Sequence, residues 1–201
     1  DFDGMGTPSM ALRALHMPFQ HVFGSEQNKN ARKTIEANGS PGILYQDASV
    51  RNCFEAPLVD LYVAGPPCQP FSPAGKGHGV LDRRGGLMRE VCIQYIRKRQ
   101  PRAFVLENAA ALMWKPHKDI LSGWVQTLEG LGYSVSVTVM NTEDHGVPQH
   151  RERCYIVGVR SDAGASAYAP PSPVVPATLS SFLSKHFGEK RPMSAGTSSG
   201  T

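Results

Sequence analysis

The sequence predicts an α/β fold in which a mostly parallel sheet carries helices on both faces. Over the first 160 residues, short apolar runs alternate with segments of helical pattern, which is typical of strands joined by helical crossovers. The run from Leu58 to Ala64 is almost continuously apolar, as expected of a strand covered on both sides. A chain of 201 residues is long enough for one sizeable core and at most a small second lobe.

The first elements are predicted from local capping signals. Asp1-Phe2 has the character of a strand end. Thr7 is a favourable N-cap for a helix over 10–16, because Pro8 suits the first helical position. A short strand is predicted at 20–23, and a helix over 27–37 ends at Asn38-Gly39.

The central and late elements follow the same alternation. After the apolar strand at 58–64, a helix is predicted over 86–99, because the basic residues of its last turn suit the negative end of the helix dipole. A buried strand at 103–106, a helix at 118–131 and two late strands at 133–140 and 153–160 complete the pattern.

The composition changes near Ser161. Residues 161–201 contain 9 Ser, 5 Pro and 4 Gly, a bias typical of linkers and poorly ordered extensions. One short helix is predicted there, at 179–187. We therefore predict one domain over residues 1–160 and a linker or extension over residues 161–201.

Composition also narrows the functional classes. No apolar run approaches the ~18 residues of a membrane-spanning helix, and the first residues lack the basic and apolar regions of a signal peptide. A net charge of +4 is compatible with a polyanionic partner. The His and Cys residues show no metal-ligand spacing, so no metal site is predicted, and the sparse cysteines favour a reducing compartment.

A glycine turn near the start is the first candidate binding feature. Gly4-Met5-Gly6 follows a strand end and opens a helix, where a ligand can approach the backbone and the helix N-terminus. Glu26 follows the second strand, where an acidic residue can bind the two hydroxyls of a ribose. Either feature alone is equally compatible with ordinary turn chemistry or a solvated carboxylate. Together they favour a cofactor that contains a nucleoside.

A stiff, proline-rich loop carries the candidate nucleophile. The segment Gly65-Pro66-Pro67-Cys68-Gln69-Pro70-Phe71-Ser72 directly follows the apolar strand, so it faces the ligand crevice at the carboxyl edge of the sheet. A free cysteine in such a loop is more plausible as a reactive group than as core filler, and we predict a reactive role for Cys68. The other three cysteines, Cys53, Cys92 and Cys154, are predicted to be structural.

Two further polar sets are predicted at the same edge. Glu107-Asn108 closes a buried strand, so the carboxyl group of Glu107 can serve proton transfer in the crevice or cap the next turn. Arg151 and Arg153 are two apart on extended chain and point to one face. They can lower the pKa of a thiol and hold a carbonyl or phosphate, or lie on a solvated strand edge.

In this order, these segments resemble the C5-cytosine DNA methyltransferase family. The resemblance covers about residues 1–160. It rests on four motifs: the glycine turn, the proline-cysteine loop, the Glu-Asn pair and the Gln-x-Arg-x-Arg run. The matching segments also include Phe2 to Thr7, Glu26, Asp47, Asp82-Arg83-Arg84-Gly85 and Gly146 to Arg153. It implies a Rossmann-like fold that binds S-adenosyl-L-methionine and acts on a cytosine flipped out of DNA.

The resemblance also implies a role for each candidate residue. Cys68 is the nucleophile that attacks C6, Glu107 contacts N3 and the exocyclic amine, Arg153 holds the O2 carbonyl, and Arg151 orders the cysteine loop. The implied cofactor residues are Phe2, Asp3, Gly4, Met5, Gly6, Glu26, Asp47, Gly65 and Pro67. The implied DNA contacts are Gln69, Ser72, Arg83, Arg84 and Gln149.

Two departures from the family pattern give further expectations. The first strand is almost wholly absent, and nothing after Ser161 resembles the target-recognition region or the final motif of the family. The proline-rich stretch from Pro170 to Pro176 has the character of an entry to that region. We therefore expect weak cofactor and DNA binding from residues 1–201 alone.

Three alternatives remain beside a DNA methyltransferase. The tRNA-methylating branch of the family has a similar loop, but its Cys-Phe-Thr motif is absent from this sequence. A non-catalytic relative is disfavoured because Cys68, Glu107, Arg151 and Arg153 occur together, and a thiol hydrolase lacks a His in a suitable motif. The expected location is intracellular, in the nucleus of a eukaryote or the cytoplasm of a bacterium.

Overall fold

The computed structural model describes residues 1–67, 86–115, 117–164, 168–175 and 178–182. The strands in this part of the chain are β1 (Phe23–Ser25), β2 (Ile43–Tyr45), β3 (Leu61–Ala64), β4 (Ala103–Ala109), β5 (Tyr133–Asn141) and β6 (Glu152–Arg160). The α-helices are α1 (Thr7–Ala14), α2 (Lys29–Gly39), α3 (Gln94–Arg99) and α4 (Lys118–Glu129). A π-helical stretch, Met88–Ile93, leads directly into α3.

The strands form two sheets of mixed direction. β1 and β2 pair in parallel, and the second sheet has the order β3-β4-β6-β5. Within it β3 and β4 are parallel, whereas β6 is antiparallel to both β4 and β5. The alternation of strands and helices predicted the α/β architecture, but it did not reveal that β5 and β6 form a hairpin.

Residues 1–3 lie between the two sheets. The terminal ammonium group of Asp1 donates to Val63 O at 2.8 Å, and Gly65 N donates back to Asp1 O at 3.3 Å. On the other side, Asp3 N donates to Ser25 O at 2.9 Å. The short segment therefore continues the hydrogen-bond ladder from β1 to β3. The spatial order across both sheets is β2, β1, residues 1–3, β3, β4, β6 and β5.

Several boundaries differ from the sequence prediction. Gly6, in the left-handed region at φ 83°, is the N-cap of α1, so Thr7 is already helical. The strand expected at 20–23 lies at Phe23–Ser25, because it pairs with β2, which is too short to show a periodic pattern. Strand β4 runs three residues further than expected, to Ala109, because β6 pairs with its whole length.

The core lies on the four-stranded sheet. Buried side chains of β3, β4 and β6 pack with those of the π-helical stretch, α3 and α4. An aromatic group of Phe23, Tyr62 and Tyr95 joins this core to β1, with Tyr62 and Tyr95 stacked at 4.4 Å between ring centroids. Among the described residues no helix has the length and apolar character needed to cross a bilayer.

The segment after residue 160 has little regular structure where it is described. A single 3₁₀ turn, Leu179–Ser181, lies where the sequence predicted a helix over 179–187, and residues 183–187 are outside the described range. Residues 168–175 have no regular secondary structure, and Val174 N donates to Asp144 O at 2.8 Å. The domain boundary near residue 160 stays a prediction.

Candidate active site

A cavity of about 720 Å³ opens at the carboxyl ends of β1, β2 and β3, which is the edge of an α/β sheet where ligands bind. Its volume is in the usual range for a cofactor site. The wall comes from five stretches of chain. Its members are Phe2, Gly4, Ser25, Glu26, Gln27, Asp47, Ala48, Ser49, Val50, Gly65, Pro67, Leu87 and Glu90.

Glu26 lies directly after β1, as the sequence predicted, and its carboxylate fixes the glycine turn. Oε2 accepts a hydrogen bond from Gly4 N at 2.9 Å, and Oε1 accepts one from Asn28 N at 2.8 Å. A carboxylate has about four lone-pair sites, so each oxygen retains acceptor capacity toward the cavity. Glu26 thus holds the turn in place and still offers two oxygens to a pair of hydroxyl groups.

Asp47 begins the wall on the β2 side. Its Oδ1 accepts hydrogen bonds from Ser49 N and Ser49 Oγ, both at 2.7 Å, and caps the 3₁₀ turn Ala48–Val50. This cap fixes the three turn residues against the cavity. Asp47, one of the implied cofactor residues, therefore lies in the cavity wall.

The residues of the glycine turn divide into two groups. Phe2 and Gly4 line the cavity, whereas Asp3, Met5 and Gly6 are not among its lining residues. The Asp3 carboxylate points toward β1 instead, since a Cβ added to Gly24 would lie 2.1 Å from its Oδ2. The sequence did not predict this, because alternation along three irregular residues carries no periodic signal.

Two lining residues were not predicted from the sequence. Leu87 and Glu90 reach the cavity from the start of the π-helical stretch. A π-helical segment widens the helix and frequently occurs at functional sites, but no residue pattern announces it. The available signal was the position of Glu90 at the start of a helix that follows a predicted ligand loop.

The proline-rich loop leaves β3 toward this cavity. Gly65 and Pro67 line it, and the carbonyl oxygen of the buried Pro66 accepts a hydrogen bond from Asn108 Nδ2 at 3.4 Å. Asn108 is 1% exposed, so β4 holds the first part of the loop through a buried contact. A Cβ added to Gly65 would lie 3.4 Å from Glu107 Oε2, which places the carboxyl group of Glu107 beside the loop.

Glu107 and Arg153 form an ion pair at the carboxyl edge of β4. Arg153 Nε lies 2.9 Å from Glu107 Oε1, with side-chain exposures of 22% and 31%. Glu107 lies within β4, opposite Tyr155, and not after its end as the sequence suggested. Arg153 is diagonal to it across the β4–β6 ladder, a separation that long side chains can bridge.

The loop before β6 brings Arg151 to the same edge. Asn141 Oδ1 accepts from Arg151 N at 2.9 Å, and Thr142 N donates to Arg151 O at 3.2 Å. Gln149 lies in this exposed loop, where its carbonyl oxygen accepts from Thr142 Oγ1 at 2.5 Å. Burial and, after it, the negative charge of Glu107 raise the pKa of Tyr155. The positive charges of Arg151 and Arg153 only partly offset this rise.

Two of the cysteines predicted to be structural are fully buried. Cys92 and Cys154 have free thiols with 0% exposure, and burial raises the pKa of each to about 11. The negative charge of Glu107 adds to this rise at Cys154. Neither thiol therefore forms a thiolate near neutral pH, which confirms the structural prediction for this pair. Cys53 is partly exposed in a turn.

Five of the predicted site residues lie outside the described residues: Cys68, Gln69, Ser72, Arg83 and Arg84. Pro67, the residue before Cys68, is described and lines the cavity. Within the described ranges, no group of three or more His, Cys, Asp or Glu side chains is arranged to hold a metal ion.

Residues 2–195 match the family model described as C-5 cytosine-specific DNA methylase. The chain belongs to this family. One relative is the type II methyltransferase M.NgoBI of Neisseria gonorrhoeae. It is 42% identical to this chain over 138 residues, which are 69% of this chain and 43% of the relative. The type II methyltransferase M.HpaII of Haemophilus parainfluenzae is 37% identical over 86% of the chain and 48% of the relative.

Solved structures confirm the predicted α/β methyltransferase fold. An Entamoeba histolytica methyltransferase superimposes with a TM-score of 0.68 at 15% identity, over 91% of the chain and 58% of the other. The Dnmt2 methyltransferase of S. pombe gives a TM-score of 0.63 at 20% identity, over 83% of the chain and 51% of the other. The methylase chain thus spans a little under half the length of the two curated relatives described above.

Proposed function

We propose that this chain is the catalytic segment of a DNA cytosine-C5 methyltransferase that uses S-adenosyl-L-methionine. The observation that carries the proposal is the position of the Gly65–Pro67 loop. It lines the cavity on one side, lies beside the Glu107 carboxyl group on the other, and leads directly to Cys68. Cofactor, acid and nucleophile therefore meet at one loop, as a methyl transfer between two bound molecules requires.

The cavity fits the cofactor by volume and by donor set. Glu26 has free acceptor capacity for ribose hydroxyls, and Asp47 lies on the adjoining wall. Phe2 and Gly4 supply backbone near the start of α1. When bound, S-adenosyl-L-methionine supplies an electrophilic methyl group on a sulfonium.

The role of Cys68 is to make C5 of the cytosine nucleophilic. C5 of cytosine is a poor nucleophile because the ring is aromatic and electron-deficient. The Cys68 thiolate forms a bond from Sγ to C6, and the displaced electron pair moves toward N3 and gives C5 enamine character. After C5 has taken the methyl group its proton leaves to water, and the electron pair of that C–H bond expels the thiolate.

Glu107 and Arg153 stabilise the charge that develops on the ring. In its protonated form Glu107 donates a proton to N3, a step that general acids in other enzymes accelerate by about 10²–10⁴-fold, and the carboxylate left behind pairs with Arg153. Arg153 orients the Glu107 carboxyl group from 2.9 Å and presents its remaining guanidinium N–H groups to the O2 carbonyl. Arg151, at the same edge, orders the cysteine loop and contacts a nearby phosphate.

The DNA partner is inferred from the family and from the charges at the site. The curated relatives are named as type II methyltransferases, and we place the same duplex substrate here. Candidate phosphate contacts are Arg83, Arg84, Arg151 and Arg153, with Gln69, Ser72 and Gln149 near the flipped base. We place the protein inside the cell, where genomic DNA is available, and place the catalytic domain over residues 1–160.

The test is methyl transfer by the protein that carries residues 1–201. Cys68→Ser should abolish incorporation of a tritiated methyl group into duplex DNA, because an alcohol forms too little alkoxide at neutral pH to attack C6. Cys53→Ser is the matched control, since this cysteine lies in a turn and is not among the lining residues of the cavity, and it should leave turnover unchanged. The parent should also form a covalent adduct with DNA containing 5-fluorocytosine, and the Cys68→Ser variant should not.

Two outcomes would contradict the proposal. Substantial turnover by Cys68→Ser would remove Cys68 as nucleophile. Methylation of tRNA in preference to duplex DNA would assign the chain to the RNA branch of the family. Tritium counting with both nucleic acids in parallel separates these cases.

A further inference from the structure

A buried ion pair lies directly behind the cavity. Arg51 donates two hydrogen bonds to the Asp1 carboxylate, Nη1 to Oδ1 and Nη2 to Oδ2, both at 2.6 Å. The side-chain exposures are 2% and 0%. Tyr62 Oη donates to Oδ2 at 2.6 Å, and Ser25 Oγ donates to Oδ1 at 2.9 Å, so the carboxylate accepts four hydrogen bonds.

The Arg51 guanidinium is also enclosed by aromatic rings. Its central carbon lies 4.8 Å from the ring centroid of Phe23, 5.5 Å from that of Tyr45 and 5.1 Å from that of Tyr95. Stacking of this kind favours the planar guanidinium over the ammonium of lysine. The cation therefore has a single orientation, fixed by rings on β1, β2 and α3.

Each partner of this pair adjoins a stretch of the cavity wall. Asp1 precedes Phe2, which lines the cavity, and Phe2 N donates to Ser25 Oγ at 3.2 Å. Ser25 is itself a lining residue. Arg51 follows the lining turn Ala48–Val50, and Arg51 N donates back to Ala48 O. Three separate parts of the wall thus connect through one buried carboxylate.

We propose that Asp1, Arg51 and Tyr62 act as positioning residues that set the affinity of the cavity for its cofactor. This inference rests on the proposed function. Stability alone does not account for the pair, because well-packed apolar side chains commonly replace a buried ion pair without loss. What the pair supplies is geometry: it fixes the glycine turn relative to the Ala48–Val50 turn across the width of the cofactor site.

Tyr62→Phe gives the cleanest test because it removes one hydroxyl from the network and keeps the ring. Tyr133→Phe is the matched control. Tyr133 is buried, its hydroxyl donates to Pro101 O at 2.7 Å, and it lies on β5, at the opposite edge of the sheet from the cavity. Both variants should lower the melting temperature, and Tyr62→Phe should lower it more, because its hydroxyl donates to a charged carboxylate whereas that of Tyr133 donates to a neutral carbonyl.

Only Tyr62→Phe should weaken binding of the cofactor. By calorimetry, Tyr62→Phe should raise the Kd for S-adenosyl-L-methionine about tenfold, because the cofactor must then order a wall that the hydroxyl holds in place in the parent, and Tyr133→Phe should leave it within about twofold. Arg51→Lys should weaken binding further, because lysine keeps the charge but loses the two-point contact. In turnover assays the KM for the cofactor should rise while kcat changes little.

The outcomes separate this inference from the proposed function. If the parent protein binds no S-adenosyl-L-methionine, the proposed function fails and the inference falls with it. If the parent binds and Tyr62→Phe binds equally well, the inference alone is wrong. Equal weakening by Tyr133→Phe would show a general stability effect and would also overturn it. If Arg51→Lys does not fold, the comparison of Tyr62→Phe with Tyr133→Phe still tests the inference.

Discussion

At the scale of single residues, the side chains of Glu107 and Arg153 depend on each other for position. Arg153 reaches the carboxyl edge of β4 only because β6 runs antiparallel to β4. In a parallel arrangement, the start of β6 would lie at the opposite edge, away from Glu107. The hairpin between β5 and β6 thus places both arginines at the site.

We expect Glu107→Gln to lower turnover by about 10²–10⁴-fold, because the amide can hydrogen-bond to N3 but cannot give it a proton. Cofactor affinity should change little, since Glu107 is not a lining residue of the cavity. Steady-state kinetics with a duplex substrate measure the effect. Glu129→Gln, at the exposed end of α4, is the control, and an unchanged rate in Glu107→Gln between pH 6 and 8 would refute the acid role.

Glu90 gives a second prediction for a single residue. Its carboxylate lines the cavity together with those of Glu26 and Asp47, and no Lys, Arg or His is among the described lining residues. Negative charge on the wall favours a cationic sulfonium over a neutral thioether. Glu90→Gln should therefore weaken binding of S-adenosyl-L-methionine more than binding of its demethylated product. Calorimetry with both ligands tests this, and an unchanged ratio of the two Kd values would contradict it.

At the scale of elements, the contact between β4 and β6 fixes their register. Gly158 lies opposite Phe104, and a Cβ added to Gly158 would be 2.2 Å from the Phe104 ring. No other residue type fits at this position without moving the ring. Because the ladder continues from this pair to Glu107 and Tyr155, the same contact aligns the acid with Arg153.

Gly158→Ala should destabilise the protein by about 1–3 kcal/mol, the usual cost of overpacking a core. Gly123→Ala is the opposite case, because Gly123 lies in α4 with nothing within 4 Å of an added Cβ. That variant should stabilise the protein by about 0.4–1 kcal/mol. Urea denaturation of the two variants and the parent measures both effects, and equal stabilities would show that the Phe104 ring moves aside at little cost.

The sequence predicted most elements of this fold but not their directions. A continuous apolar run identified β3, the Asn38-Gly39 stop identified the end of α2, and the alternation of helical and apolar segments identified α4 and the late strands, each to within a few residues. These patterns missed β2, which has three residues, and they could not show that β6 is antiparallel. Strand direction depends on contacts far apart in sequence, which a local pattern does not contain.

The sequence also predicted some residues of the candidate site and missed others. Motif order identified Glu26, Asp47, Glu107 and Arg153. The structure places Glu26 and Asp47 in the cavity wall, and Glu107 beside Gly65 in an ion pair with Arg153. The lining role of Glu90 depends on a local widening of the helix, and the orientation of Asp3 depends on Gly24 leaving space for its carboxylate. Both are features of packing that no motif encodes.

At the scale of the whole molecule, His21 links stability to pH. Burial lowers its pKa from 6.5, and the nearby Asp3 carboxylate partly offsets this effect. Its Nδ1 contacts Ser9 Oγ at 2.9 Å, and Arg13 adds a further lowering. The folded protein therefore binds fewer protons at His21 than the unfolded chain just below pH 6.5, so the free energy of unfolding falls as the pH drops.

His21→Asn should reduce this loss of stability between pH 7 and pH 5. The measurement is urea denaturation at several pH values, which gives the slope of the unfolding free energy against pH. His150→Asn is the control, because the side chain of His150 is 70% exposed. If the slope of the His21 variant equals that of the parent, other groups account for the acid sensitivity.

The mixed sheet also sets the order in which Glu107 and Arg153 can come together during folding. The β5–β6 hairpin closes a short loop, whereas β4 must find β6 across α4 and the whole of β5. Contacts between distant segments form slowly, because the entropy of closing a long loop is lost before the contact is gained. Glu107 and Arg153 are brought together by the slower of these two pairings. A nascent chain can therefore hold a formed hairpin with both arginines in place and still lack the Glu107–Arg153 ion pair until β4 docks.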